Sequence, residues 1–242
     1  MILLTNGCSW TYGGGLELDH EEQTEQRLKS VWPYHLGKLL NADEVVQLAA
    51  GCGSNQRVVR TTFEWLLQQT PERLKNTTAI IQWTEPSRYE YYEPVDYHNS
   101  LENIPERWAK VNVNVCLQSD HSPDGYKFAF DRSQRRFETN SRQEDMYRIV
   151  SEVTALGKMF ETFGIEYYYW NHANQAYMFP QSIKDFYADN FSWIDNPREI
   201  PNTEGNILGW KYSRISATDG HPSFQGHQEL ANIIYEKIKA KR

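Results

Sequence analysis

Short apolar runs alternate with segments of helical spacing along this chain, and their order predicts parallel strands with helices on both faces. Ile2-Leu3-Leu4, bounded by Asn6-Gly7, is too short for a helix and is expected as a buried strand over residues 1–5. Val31, Leu36, Leu39 and Leu40 then recur at near-helical spacing, and Pro33 fits only a first turn, so a helix is expected over 33–40. A second strand is expected over 45–48, and a small-residue turn over 49–55 follows, where Ser54 or Asn55 can cap a helix over 58–68. The third strand, 79–83, ends at Thr84-Glu85-Pro86. Met146, Ile149, Val150, Val153, Leu156 and Phe160 mark a helix over 144–163 with Gly164 as its stop. A β-rich strand over 165–170 ends at Asn171-His172, and Leu230, Ile233, Ile234 and Ile238 mark a last helix over 228–239. Strand-to-helix units in succession imply a parallel sheet.

Two stretches break the pattern. Residues 89–140 and 173–216 show neither a 2 nor a 3.6 repeat, and they are read as insertions, at about 86–140 and 173–216, in one domain spanning 1–242. Gly13-Gly14-Gly15 and the acidic run over 17–25 are expected as an exposed loop.

Charge and cysteine usage narrow the function. The chain has 242 residues with 25 Lys plus Arg against 32 Asp plus Glu, a formal charge of −7 that disfavours attraction to nucleic acid. Cys8, Cys52 and Cys116 show no C-x-x-C spacing, which points to a reducing, cytoplasmic setting and to buried thiols for Cys8 and Cys52. No apolar run is long enough to span a membrane, and no ligand spacing calls for a metal or cofactor.

The candidate chemistry lies where the strands end. In open parallel sheets ligands bind beyond the carboxyl ends of the strands, and Ser9, Gly53, Thr84 and His172 each follow a predicted strand. A serine hydroxyl stays protonated at neutral pH and needs a base, which in turn needs an orienting partner. Asp219-Gly220-His221-Pro222, just before the last helix, contains both. The Gly-x-Ser-x-Gly elbow of the α/β-hydrolases is absent, because the residues around Ser9 read Gly7-Cys8-Ser9-Trp10-Thr11.

Both ends of the chain resemble the SGNH/GDSL hydrolases. Asn6-Gly7-Cys8-Ser9-Trp10-Thr11-Tyr12-Gly13 is similar to that family's Gly-Asp-Ser block, with Cys8 in place of aspartate. Asp219-Gly220-His221-Pro222 is similar to its Asp-x-x-His-Pro block, one residue shorter, with Thr218 at the usual aspartate position. Gly53 in Gly-Ser-Asn matches the second block, and Gln82-Trp83-Thr84-Glu85 falls on the third with Thr84 replacing asparagine. The resemblance implies a flavodoxin-like three-layer α/β/α sandwich. It also implies a serine esterase or deacetylase acting on an O-acyl ester of a small molecule or glycan. In this reading Ser9 is nucleophile, His221 base and Asp219 its orienting acid, with Ser9, Gly53 and Thr84 around the oxyanion. Asn55, Trp10, Arg88 and His172 are the candidates for substrate contact.

Each residue also has a plainer reading: Ser9 as a helix cap, Asp219-Gly220 as a turn, Gly53 as a helix-entry glycine, His227 as packing, and the aromatic residues, 14% of the chain, as core. Cys8 as nucleophile is a further alternative. The same parts serve an O-acyltransferase, and a noncatalytic glycan- or protein-binding module on this scaffold is the competing expectation. No phosphate-cradling glycine motif supports a nucleotide site.

Overall fold

The computed structural model describes residues 1–16, 24–85, 88–92, 108–111, 142–171, 185, 199–201, 207–210, 212–216 and 219–242. In chain order its first half contains β1 (Ile2–Asn6), α1 (Ser9–Tyr12), α2 (Thr24–Ser30), α3 (Trp32–Leu39), β2 (Glu44–Gln47), α4 (Asn55–Leu67), α5 (Pro71–Lys75) and β3 (Thr77–Trp83). Then follow β4 (Tyr89–Tyr92), β5 (Trp108–Val111), α6 (Arg142–Phe163), β6 (Glu166–Asn171), β7 (Glu199–Pro201), β8 (Ile207–Trp210) and α7 (Phe224–Lys239). The central sheet is parallel in the order β2-β1-β3-β6.

Alternation along the strands sends neighbouring side chains to opposite faces, and each face is covered by its own pair of helices. Leu4, Ala79, Ile81, Tyr167 and Tyr169 pack with Val58 and Leu66 of α4 and with Ile149, Val153, Leu156 and Phe160 of α6. Leu3, Ile80, Tyr168 and Trp170 pack with Trp32 and Leu36 of α3 and with Leu230, Ala231, Ile234 and Ile238 of α7. The result is the expected three-layer α/β/α sandwich. The unbroken burial of β1 and β3, polar residues included, is the mark of strands covered on both sides.

Capping explains where several helices differ from the periodic pattern. The Ser54 hydroxyl accepts from Arg57 N–H, so α4 opens at Asn55, three residues before its first apolar position. Ser223 does the same for α7 through Gly226 N–H at 3.1 Å, and the helix begins at Phe224 instead of 228. The short α5 starts at Pro71 behind the Thr70 cap. Within the stretches read as insertions, β4 pairs antiparallel with β5, and β7 with β8. Their polar and aromatic residues carry no clean alternation, which is why the strands do not stand out in the sequence.

Candidate active site

The turn after β1 is built on a buried amide. Asn6 Nδ2 reaches Val58 O at 3.1 Å and the hydroxyls of Thr61 and Thr62 at 2.9 Å each, while its Oδ1 accepts from Gly7 N–H at 2.8 Å. One side chain thus ties the end of β1 to α4 and sets the start of the following turn. Asn6 is in register with Ile81, so this turn runs beside Gln82. A Cβ on Gly7 would lie 2.6 Å from Gln82 Oε1, and only glycine permits that approach. Gln82 Nε2 donates to the buried Cys8 Sγ at 3.3 Å, and Gln82 Oε1 accepts from Thr11 Oγ1. Cys8 belongs to the core cluster of α3 and α7. Ser9 is the first residue of α1, with Cys8 in the capping position, so the serine is not the cap.

The segment carrying Asp219 and His221 is held by an adjacent one. Ile215 N–H donates to His221 O at 3.0 Å, Ser223 N–H to Ser213 O at 3.0 Å, and Arg214 bridges antiparallel to Pro222. Glu229 on α7 accepts from both Ser213 N–H (2.6 Å) and Ser213 Oγ (3.1 Å). Tyr212 donates its hydroxyl to Gly220 O at 3.0 Å. These contacts fix the loop against the start of α7, above the α3/α7 face of the sheet.

The two chain ends meet there. His221 Nε2 lies 2.8 Å from Ser9 Oγ, and His221 Nδ1 lies 2.6 Å from Asp219 Oδ1. The single residue between Asp219 and His221 does not prevent this contact, because Asp219 Oδ1 also accepts from His221 main-chain N–H at 2.9 Å. Burial pushes the Asp219 carboxyl up, but the His221 main chain and ring outweigh it and hold the carboxyl below the usual carboxylate range. An ionised acceptor on Nδ1 directs the free ring lone pair to Nε2, on the serine side.

Trp10 stacks on the His221 ring at 4.9 Å between centroids and 23° between planes, with Tyr212 edge-on to the indole at 6.0 Å. The glycine run after α1, expected as an exposed loop, is a turn buried at Gly13 and exposed at Gly15, and it borders the array. A Cβ on Gly14 would lie 2.9 Å from Ser9 Cβ and 3.4 Å from His221 Nε2; one on Gly15 would lie 3.2 Å from Asp219 Oδ2. The sequence signal was the run of three glycines itself, four residues past the serine.

The remaining candidates stand as follows. Gly53 packs over the turn after β1, where a Cβ would lie 3.0 Å from Gly7 O and 3.7 Å from Cys8 Cα; its N–H donates to Ala50 O at 3.1 Å. Thr84 is fully buried, and its main chain is clamped by Asn55, whose Oδ1 accepts from Thr84 N–H at 2.8 Å and whose Nδ2 donates to Thr84 O at 3.0 Å. Asn55 is therefore committed to joining α4 with the end of β3. Arg88 is buried and lies 3.6 Å from Glu85, and its Nε and Nη1 have no hydrogen-bond acceptor among the described residues. His172, Thr218 and Cys116 lie outside the described residues. Cys52, expected as a buried thiol, is exposed, in the turn between β2 and α4, at a left-handed position with φ 55. His227 is buried in α7 and accepts from Trp32 N–H through Nδ1 at 3.2 Å, a packing role. Among the described residues no cluster of His, Cys, Asp and Glu could hold a metal, and no helix is long and apolar enough to cross a membrane.

Solved structures share this architecture over nearly the whole chain. A G-D-S-L family protein from Desulfitobacterium hafniense DCB-2 aligns at TM-score 0.50 with 13% identity, covering 98% of each chain. TesA aligns at 0.51 with 12% identity, covering 99% of each. The psychrotrophic esterase EstA from Pseudoalteromonas sp., solved inhibited by monoethylphosphonate, aligns at 0.51 with 12% identity over 99% of this chain and 97% of its own. At such identities the likeness establishes the fold. Comparison with curated proteins gives no match. A family model matches residues 16–179, stopping short of Ser9 on one side and of Asp219 and His221 on the other, and by that match the chain belongs to the Family of unknown function (DUF6071).

Proposed function

We propose that this protein is a serine hydrolase of the SGNH/GDSL kind that cleaves an O-acyl ester. The observation that carries the reading is the continuous array Ser9 Oγ, His221 Nε2, His221 Nδ1, Asp219 Oδ1, at 2.8 and 2.6 Å. His221 takes the Ser9 proton as Oγ attacks the acyl carbon, and the resulting imidazolium is held by the Asp219 carboxylate. Ser9 N–H, in the first turn of α1, has no carbonyl one turn behind it and is the amide offered to the oxyanion. His221 then returns the proton to the departing alcohol oxygen. Water, deprotonated by the same nitrogen, attacks the acyl-serine, and His221 returns that proton to Ser9 Oγ as the C–Oγ bond breaks and the acid leaves. An alcohol in place of that water gives acyl transfer with identical parts.

Arg88, just beyond β3, with Nε paired to Glu85 at 3.6 Å and a buried Nη1 that has no hydrogen-bond acceptor among the described residues, is the residue we assign to a carbonyl or anionic group of the substrate. A glycan or small-molecule ester in a cytoplasmic setting remains the preferred substrate class. A fluorophosphonate probe is expected to label Ser9 in the full chain, and p-nitrophenyl acetate to be hydrolysed. Both activities are expected to fall at least about 10³-fold in Ser9→Ala. Equal hydrolysis by the two proteins would defeat the proposal.

A second reading, a noncatalytic glycan- or protein-binding module, draws on the Gly53 amide. Gly53 N–H is directed to Ala50 O, so it is not free for an oxyanion in this arrangement. Loss of one such donor costs on the order of 10²-fold in rate. Glycan binding that survives Ser9→Ala, with no probe labelling of the parent protein, is the outcome that favours this reading.

A further inference from the structure

The indole on His221 belongs to the residue directly after Ser9, so one short helix sets both the hydroxyl and a wall of the imidazole. Trp10 is buried in the same core cluster as Cys8, Trp32 and Leu36. Its ring lies nearly parallel to His221, 4.9 Å away, and is backed edge-on by Tyr212, whose hydroxyl holds Gly220 O at 3.0 Å. We propose that Trp10 is a positioning residue for His221, not a substrate contact. This rests on the reading of His221 as the base.

The physical need is specific. Asp219 and Ser9 hold two edges of the imidazole through Nδ1 and Nε2, and once Ser9 is acylated only the Asp219 contact remains, which leaves the ring free to swing about its Cβ–Cγ bond. Swinging carries Nε2 away from Ser9 Oγ, and a displacement of about 1 Å in a reacting group is enough to cost on the order of 10²-fold. A flat, immobile indole removes that freedom at low entropic cost, because Trp10 is itself held by the core. The same π-face attracts the imidazolium that forms when Ser9 gives up its proton. Asp219 is the charged group bonded to the ring, and His227 is its titratable neighbour from α7.

The test uses the full chain with Trp10→Phe, which keeps an aromatic face, and Trp10→Leu, which fills the site without one. The His221 Nδ1–H bonded to Asp219 is expected as a downfield proton resonance absent from His221→Gln. Positioning by Trp10 predicts that this resonance broadens by exchange with water in Trp10→Leu and persists in Trp10→Phe. It also predicts kcat on p-nitrophenyl acetate about tenfold or more lower in Trp10→Leu with KM nearly unchanged, and a loss below about threefold in Trp10→Phe. An unchanged resonance in Trp10→Leu, or a rise in KM with kcat intact, overturns the proposal. If Trp10→Leu does not fold, the Trp10→Phe resonance decides alone: persistence supports positioning and loss to solvent exchange refutes it. If the resonance behaves as predicted while the parent protein shows no hydrolysis or labelling, positioning stands and the hydrolase reading falls.

Discussion

At the scale of single residues, the site depends as much on atoms that are missing as on those present. Gly14 leaves room for the Ser9–His221 hydrogen bond, and its main-chain N–H donates to Ser9 O at 2.8 Å. A methyl group there would sit 2.9 Å from Ser9 Cβ, closer than carbon atoms pack, so the serine or the glycine loop must move. Gly14→Ala is expected to reduce fluorophosphonate labelling of Ser9 at least tenfold and to cost roughly 1–3 kcal/mol of stability, measured by labelling rate and by thermal unfolding. Wild-type labelling in that variant would show that the loop yields freely. That Ser9, Asp219 and His221 belong together was legible in the sequence, because the chemistry proposed for them needs those residue types in those surroundings. The role of the glycines was not, since a Gly-Gly-Gly run reads equally well as a flexible loop, and its meaning comes from a partner more than two hundred positions away. Thr84 shows the converse: the substitution was visible, but the Asn55 clamp on its main chain was a matter of three-dimensional proximity.

Among the elements, α3 and α7 carry the face of the sheet above which the site is built, and His227 sits between them. Burial, with the fields of His35 and His221, depresses the His227 imidazole from its ordinary 6.5 to about 3, so it is neutral through the physiological range. Neutral, it accepts Trp32 N–H. The unfolded chain binds a proton at this residue below pH 6.5 that the folded chain refuses until about pH 3, so stability is full above 6.5 and declines as pH falls through that window. The slope from this group approaches ~1.4 kcal/mol per pH unit. His227→Gln is expected to be less stable than the parent at pH 7, by roughly 1–3 kcal/mol, with the gap closing by pH 4.5 in urea titrations. Parallel pH dependences in the two proteins would remove His227 as the source. The strands and long helices of the sandwich were readable from periodicity to within a few residues, because burial on two faces leaves a dense apolar record. The β4/β5 and β7/β8 pairs were not: short antiparallel ribbons outside the main sheet carry little alternation.

For the molecule as a whole, the array joins residues 212 positions apart, and β1 lies in the middle of the sheet between β2 and β3. The turn that carries Ser9 therefore cannot detach without opening the core. Labelling of Ser9 is expected to disappear at the same urea concentration as the far-ultraviolet circular dichroism, in one cooperative transition. Loss of labelling well before the loss of helix would mean that the Asp219–His221 loop opens on its own. The same connectivity has a consequence during biosynthesis. Ser9 leaves the ribosome 212 residues ahead of His221, an interval of roughly ten to forty seconds at ordinary elongation rates. Throughout that interval the nascent Ser9 hydroxyl lacks the His221 imidazole that it meets in the folded chain, so the array can form only after residue 221 has emerged.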